Sequence, residues 1–172
     1  MAKRRHGAVA LMAPPRWYLK THVAVSPAAA YAWMTDYRDD DHSRESFLRH
    51  AHGDAGGHHA ARSITKHDKD LLEIRDRWGR NDWKSQVRLD RAKREVHISG
   101  DYGYRATWRA VSEGEGTRIE CEGRIEPSRF MARAFASLLG RRWQRQMEAD
   151  FKAHVGELEE ELTADGPPTK VV

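Results

Sequence analysis

Apolar side chains recur at helical spacing near the end of the chain. Between Arg141 and Leu162 they are three or four residues apart, at Trp143, Met147, Phe151, Val155, Leu158 and Leu162. This stretch contains no proline and consists largely of residues that favour helices. The pattern therefore predicts a long C-terminal helix whose apolar stripe faces a sheet.

A second apolar stripe precedes the first and points in another direction. It occupies residues 128–139 and consists of Met131, Ala134, Phe135, Leu138 and Leu139. Around one helix axis, Phe135 and Phe151 would be roughly 160° apart, so a single straight helix cannot bury both. Gly140 lies between the stripes and permits a bend. We predict a separate short helix from Ser128 to Leu139 that acts as a hinged cover.

Alternating apolar and polar residues predict a half-buried strand from Arg16 to Val25. Its inward positions are Trp17, Leu19, Thr21, Val23 and Val25. Ser26 and Pro27 then provide an N-cap and a first-turn proline for a helix that reaches Met34. The polar stretch from Asp36 to His42 predicts a second short helix.

From Ser46 onward the chain changes to short alternating segments separated by turn residues. The predicted strands are Phe47–His52, His59–Lys66, Leu71–Trp78, Trp83–Leu89, a short strand around Val96 and Ile98, Gly103–Val111 and Thr117–Glu126. The last two would form a hairpin across a loop that contains two glycines. This order predicts an α+β fold in which a curved antiparallel sheet of about seven strands lies against the long C-terminal helix.

The length of 172 residues suits a single domain with enough buried surface for a core. We expect that domain to span residues 16–162. Residues 1–15 include Lys3, Arg4 and Arg5 and are expected to form a disordered basic arm. Residues 163–172 contain two prolines and are expected to form a flexible tail.

Charge and composition give few indications of a macromolecular partner. The net charge is +4, but basic and acidic residues are interleaved, so there is no strong nucleic-acid signal beyond a small patch at Arg141, Arg142 and Arg145. Cys121 is the only cysteine, and we expect a cytoplasmic protein. No apolar run approaches the roughly 20 residues of a transmembrane segment. The sequence implies no cofactor and leaves a weak homodimer open.

Asp76 is the most informative candidate for chemistry. Alternation places it between Ile74 and Trp78 on an apolar strand face, where an ionised carboxylate is costly unless it is paired. Inside a cavity it could orient a polar ligand group or act as an acid or base. A local bulge, or an ion pair with a neighbour such as Arg62, explains it without any activity, and we favour that explanation.

Several other side chains could line a pocket. Ser85 and Tyr104 could offer hydroxyl groups to a ligand, although such groups more often bond to backbone. Five of the six tryptophans could supply apolar lining or belong to the plain core, namely Trp33, Trp78, Trp83, Trp108 and Trp143. Cys121 is most simply a small buried apolar residue.

Four histidines cluster around one predicted turn, at His50, His52, His58 and His59. Three imidazoles could converge on zinc or copper, since cross-strand neighbours lie about 5 Å apart. No acidic or cysteine ligand with matching spacing accompanies them. We favour a solvated, histidine-rich hairpin and assign no metal site.

Two segments carry a resemblance to a known family. The run from Val23 to Tyr37, VAVSPAAAYAWMTDY, resembles the opening of START-like, polyketide cyclase-like domains of the SRPBCC superfamily. The hairpin sequence GEGTRI at Gly114 to Ile119, followed by the terminal helix, is also similar, and the resemblance covers Trp17 to Leu162. It implies a helix-grip fold with a hydrophobic cavity. Members bind lipids, sterols, hormones or polyketides, and a minority catalyse cyclisation or dehydration without a universal catalytic residue.

The leading hypothesis is the binding or transport of a small hydrophobic ligand, lipid or polyketide-like, between the sheet and the C-terminal helix. The expected lining residues are Trp33, Asp76, Trp78, Ser85, Tyr104, Trp108, Phe135, Leu139 and Trp143. The alternative is a polyketide cyclase-like or dehydratase-like enzyme that uses Asp76 and Tyr104 as acid–base groups. The sequence leaves open whether any reaction is catalysed.

Overall fold

The computed structural model describes residues 16–38, 60–78, 81–126 and 140–164. In chain order the elements are β1 (Arg16–Val23), α1 (Pro27–Met34), β2 (Ala60–Lys66), β3 (Leu71–Trp78), β4 (Asn81–Asp90), β5 (Glu95–Gly100), β6 (Tyr104–Glu113), β7 (Gly116–Ile125) and α2 (Gly140–Ala164). A single 3-10 turn, Asp101–Gly103, separates β5 from β6. None of the described helices is both long enough and apolar enough to cross a membrane.

All seven strands belong to one curved antiparallel sheet with the order β1-β7-β6-β5-β4-β3-β2. Strands β2 to β7 form a meander, and β1 pairs with β7 along its whole length, from Arg16 opposite Arg124 to Val23 opposite Thr117. The predicted α+β fold is confirmed. The predicted strand Phe47–His52 and the predicted cover Ser128–Leu139 lie outside the described residues. Of the second short helix predicted from Asp36 to His42, residues 36–38 are described and are not helical, and residues 39–42 lie outside the described residues.

Strand register brings the predicted inward residues onto one face of the sheet. Trp17 lies opposite Gly123, and Trp108 lies opposite both Val96 and Cys121. The most deeply buried side chains of this face, together with one from α2, are Val23, Val87, Val96, Thr117, Ile119 and Leu158. The alternation seen in the sequence therefore separates a buried, concave face from an outer face.

Local sequence explains the limits of α1. The Ser26 hydroxyl accepts a hydrogen bond of 3.2 Å from the backbone N–H of Ala29, and Pro27 occupies the first turn. At the other end, the Thr35 hydroxyl donates to the carbonyl oxygen of Tyr31 at 2.9 Å. The helix buries Ala30, Tyr31 and Met34 against the rest of the domain.

The long helix α2 lies on the concave face and buries the predicted stripe, including Met147, Phe151, Val155 and Leu158. The Phe151 ring stacks on Trp108 of β6, with centroids 5.4 Å apart. The His154 ring lies 4.7 Å from the ring of Trp33 in α1. These contacts join α2, the sheet and α1 at one place.

The Tyr31 hydroxyl is buried and has no hydrogen-bond partner in the described part of the chain. A buried, unsatisfied hydroxyl costs about 1–3 kcal/mol. We therefore expect Tyr31→Phe to raise the free energy of unfolding, by about 1 kcal/mol, in urea denaturation. The control is Tyr18→Phe, which removes an exposed hydroxyl and should leave stability nearly unchanged. A clear loss of stability in Tyr31→Phe would contradict this explanation.

Candidate functional site

Three aromatic rings form a row across the concave face, and we call Trp17, Tyr104 and Trp83 the aromatic row. Trp17 stacks on Tyr104 with ring centroids 5.8 Å apart. Trp83 meets Tyr104 edge to face at 6.1 Å. Both distances lie in the range of favourable aromatic pairs. The row thus extends over strands β1, β6 and β4, with Trp17 buried and with Tyr104 and Trp83 partly exposed.

Two glycines let the outer rings of the row lie directly on the sheet. A Cβ atom at Gly123 would lie 2.1 Å from the Trp17 ring, and one at Gly100 would lie 3.1 Å from the Trp83 ring. The Trp83 Nε1–H donates to the Ser85 hydroxyl oxygen at 2.8 Å. Because neither glycine has a side chain, each indole can lie directly against the backbone of the sheet. At Trp83 a hydrogen bond also fixes the orientation of the ring.

The central ring of the row carries a hydroxyl that stays protonated. Burial raises the pKa of Tyr104 far above its usual value, and the nearby groups of Cys121, Tyr37 and Asp150 raise it further. Asp150 is buried on α2, with 7% of its surface exposed. The Tyr104 hydroxyl makes no hydrogen bond with any described residue. It is therefore a neutral hydrogen-bond donor without a partner among the described residues, and Asp150 makes the smallest of the four contributions to its raised pKa.

Beyond Trp83 the concave face carries a buried ion pair. Asp76 is the Cα partner of both Trp83 in β4 and Arg62 in β2. The Arg62 guanidinium donates from Nε to Asp76 Oδ1 at 2.6 Å and from Nη2 to Oδ2 at 2.9 Å. Both residues are at least nine-tenths buried. The carboxylate thus has both oxygens engaged in a fork-like pair, which is the arrangement that alternation suggested for these two residues.

The remaining residues expected to line the pocket have different surroundings. Trp33 donates from Nε1 to Glu161 at 2.8 Å and Trp108 stacks on Phe151, so both connect α2 to the body of the domain. The backbones of Trp78 and Trp143 are in β3 and α2, but their side chains lie outside the described residues. Phe135, Leu139 and the four clustered histidines, at positions 50–59, also lie outside them.

Cys121 lies beneath the aromatic row with 3% of its surface exposed. Burial raises the pKa of its thiol to about 12, although a hydrogen bond with Trp17 acts in the opposite direction. At neutral pH the group is therefore protonated, and the thiolate, which is the reactive form, is not populated. Its environment is that of a small buried apolar residue.

Two residues of this face were not among the expected lining residues. Asp150 was missed because the stripe on the C-terminal helix was traced through apolar positions alone. Its signal is the step of three from Met147 and of four to His154, which puts a carboxylate and an imidazole on the buried side of α2. Trp17 was placed on the inward face but was not assigned to the pocket.

No protein-family model matches the sequence, and no curated protein matches it. Solved structures do match it in fold. A START superfamily protein from Mycobacterium smegmatis aligns with a TM-score of 0.56 at 10% identity, over 87% of this chain and 98% of that one. The chain has a START-like fold. The helix-grip arrangement implied by the sequence resemblance is thereby confirmed.

Two further structures extend the comparison of this START-like fold. The di-domain ARO/CYC StfQ from the steffimycin biosynthetic pathway, a polyketide cyclase, aligns with a TM-score of 0.61 at 10% identity, over 86% of this chain and 51% of that chain. A truncated norcoclaurine synthase from Thalictrum flavum aligns with a TM-score of 0.59 at 12% identity, over 87% of this chain and 94% of that one. At these identities the likeness concerns the fold.

The contact between Gly123 and Trp17 makes a sharp prediction about the aromatic row. In Gly123→Ala the new methyl group would clash with the indole, so the ring must move, and overpacking of this kind costs about 1–3 kcal/mol. Urea denaturation should show that loss together with a changed tryptophan emission spectrum. Gly156→Ala is the control, because nothing lies within 4 Å of its added methyl group and a helix interior gains up to about 1 kcal/mol. Equal stability of the two variants would contradict the packing described here.

Breaking the buried ion pair of Arg62 and Asp76 should strongly lower the free energy of unfolding. Asp76→Asn should lower the free energy of unfolding by about 3–5 kcal/mol, because the Arg62 charge would remain buried without its partner. Replacing both residues with leucine should recover most of that loss. The exposed pair of Arg75 and Asp82, 3.2 Å apart, is the control, and Asp82→Asn should cost about 0–1 kcal/mol. Similar losses for the two asparagine variants would show that burial does not strengthen the Arg62–Asp76 interaction.

Proposed function

We propose that the protein binds a small, mostly apolar molecule between the concave face of the sheet and α2. The observation that carries this proposal is the aromatic row, which has buried polar groups on both sides of it. The ion pair of Arg62 and Asp76 lies beyond Trp83, and Asp150 lies near Tyr104. A surface that is mostly aromatic with a few converging polar groups is typical of small-molecule sites.

The chemistry of the site favours a ring-bearing ligand with a polar substituent. Flat aromatic side chains stack best on flat ligands. The Tyr104 hydroxyl is a neutral donor, so it suits a carbonyl or hydroxyl oxygen on the ligand. The fold shared with the di-domain ARO/CYC StfQ supports a polyketide-like ligand rather than a simple acyl chain. A lipid remains the other ligand class that the sequence suggests.

The second candidate function is enzymatic, and one observation favours a different choice of acid–base residues from the one made from the sequence. The hypothesis from sequence used Asp76 and Tyr104 as the acid–base pair. Both oxygens of Asp76 accept hydrogen bonds from Arg62, whereas the charge of Asp150 makes the smallest of the four contributions that raise the pKa of Tyr104. If the protein is a cyclase or dehydratase, we propose that the Tyr104 hydroxyl, whose raised pKa makes it a poor proton donor, gives a hydrogen bond to the reacting oxygen and that Asp150 is the candidate acid–base group.

A neutral fluorescent probe, N-phenyl-1-naphthylamine, tests binding in this site. We expect saturable binding with increased probe emission and energy transfer from tryptophan. Trp83→Leu should weaken the affinity by about tenfold, because it removes a half-buried ring from the proposed contact surface. Tyr18→Leu, on the outer face of β1, is the control and should leave the affinity unchanged.

Two results would contradict the proposed function. One is the absence of saturable probe binding to the folded protein. The other is an equal loss of affinity in Trp83→Leu and Tyr18→Leu, which would place the probe elsewhere. Native mass spectrometry of the purified protein adds an independent measurement, since a tightly held ligand would appear as a discrete added mass.

A further inference from the structure

The outer face of the sheet, opposite the proposed ligand site, shows two ways of arranging arginine. In one region the arginines are matched by carboxylates on neighbouring strands. The Arg109 Nε–H of β6 donates to Glu95 of β5 at 2.9 Å, and the Arg118 Nη1–H of β7 donates to Glu113 of β6. Opposite charges on facing strands stabilise a sheet.

Closer to the start of β1, the same face carries three arginines in a line, which we call the arginine row. Arg124 in β7 is the direct Cα partner of Arg16 in β1 and of Arg105 in β6. All three are exposed. Like charges placed directly opposite each other destabilise a sheet. The arginine row therefore opposes folding, unlike the matched pairs beside it.

Counter-charges for the arginine row are few. Glu126 lies 3.1 Å from the Arg124 guanidinium and 3.8 Å from that of Arg105, so two arginines share one carboxylate. Arg16 makes no ion pair with any described residue. Three cations with one carboxylate leave an excess of positive charge at this place.

The arginine row lines an open depression of about 720 Å³. Tyr18, His97 and Thr107 also line it and add hydrogen-bonding side chains. The lining further includes concave-face residues such as Trp17 and Gly123, and Gln144 of α2. The acidic lining residue is Glu122, whose carboxylate lies 3.5 Å from Arg109. Arg109 also pairs with Glu95 and Glu120, so Glu122 is only partly neutralised, and the three arginines of the row outnumber it. The depression is thus a concave, positively charged surface, large enough for a small molecule.

We infer that this depression binds a small polyanion, namely a molecule that carries a diphosphate group. Adjacent strands are about 4.8 Å apart, so the arginine row spans roughly 10 Å, which fits two linked phosphates better than one. Guanidinium groups bind phosphate oxygens in a fork and remain charged at any physiological pH. The inference does not rest on the proposed function, because it is argued from the arginines alone; Trp17 nevertheless belongs both to the aromatic row and to the lining of the depression.

Isothermal titration with inorganic pyrophosphate at low ionic strength tests the inference. We expect binding to the full chain that weakens at least tenfold in Arg124→Gln, since Arg124 is the centre of the row. Arg77→Gln is the matched control, because Arg77 is an exposed arginine on β3, outside the lining of the depression, and its removal changes the net charge equally. That variant should bind pyrophosphate within twofold of the unchanged protein.

The melting temperature of each variant shows whether a loss of pyrophosphate binding results from unfolding. Without pyrophosphate, Arg124→Gln should melt at the same or a higher temperature, because it relieves repulsion with both neighbours. The inference is overturned if pyrophosphate does not bind, or if both glutamine variants lose affinity equally. It is also overturned if the chain binds anionic phospholipid vesicles through Arg124 but does not bind pyrophosphate, since that result would make the surface a membrane contact.

Discussion

The stacking of Trp108 on Phe151 holds α2 in position above the sheet. The rings are 5.4 Å apart and 27° from parallel, and such a pair contributes about 0.5–1.5 kcal/mol beyond the area it buries. His154 contacts both Trp108 and Trp33, so the sheet, α1 and α2 meet in one cluster of rings. Because this cluster fills the concave face where α1 lies, we place the proposed ligand along the aromatic row instead.

Much of the fold could be predicted because each strand buries only one face. Alternation then identifies inward residues without knowledge of the partners, and it also suggested Arg62 as the partner of Asp76, since direct neighbours in an antiparallel pair share a face. The helix-grip arrangement followed from element order and from the resemblance. That fold is shared with proteins only 10–12% identical, as expected when hydrophobic pattern rather than residue identity specifies architecture.

The candidate site was harder to predict than the fold, for a physical reason. Alternation tells which face a side chain occupies, but not which strand lies beside it or how far a ring reaches. The contacts of Trp83 with Tyr104, and of Tyr104 with Trp17, cross strands that are far apart in the chain. Asp150 was missed for a different reason, because a carboxylate within an apolar stripe on a helix is easily treated as an interruption rather than as an inward residue.

The two faces of the sheet treat charge in opposite ways. On the concave face, Arg62 and Asp76 satisfy each other in a low-dielectric environment, where an unpaired charge would be severely destabilising. On the outer face, solvent screens the guanidinium groups of Arg16, Arg124 and Arg105, so an unbalanced row is tolerated at modest cost. An excess of arginines is therefore tolerated on the solvated outer face of the sheet, whereas a buried charge on the concave face requires a partner.

The pairing of β1 with β7 has a consequence for biosynthesis. Among the described strands, β1 pairs with β7 alone, about a hundred residues later, from Arg16 opposite Arg124 to Val23 opposite Thr117. Contacts of such long sequence separation slow folding. During synthesis β1 stays unpaired until β7 has emerged from the ribosomal exit tunnel. In that interval its backbone and the Trp17 side chain are exposed and can contact chaperones or other nascent chains.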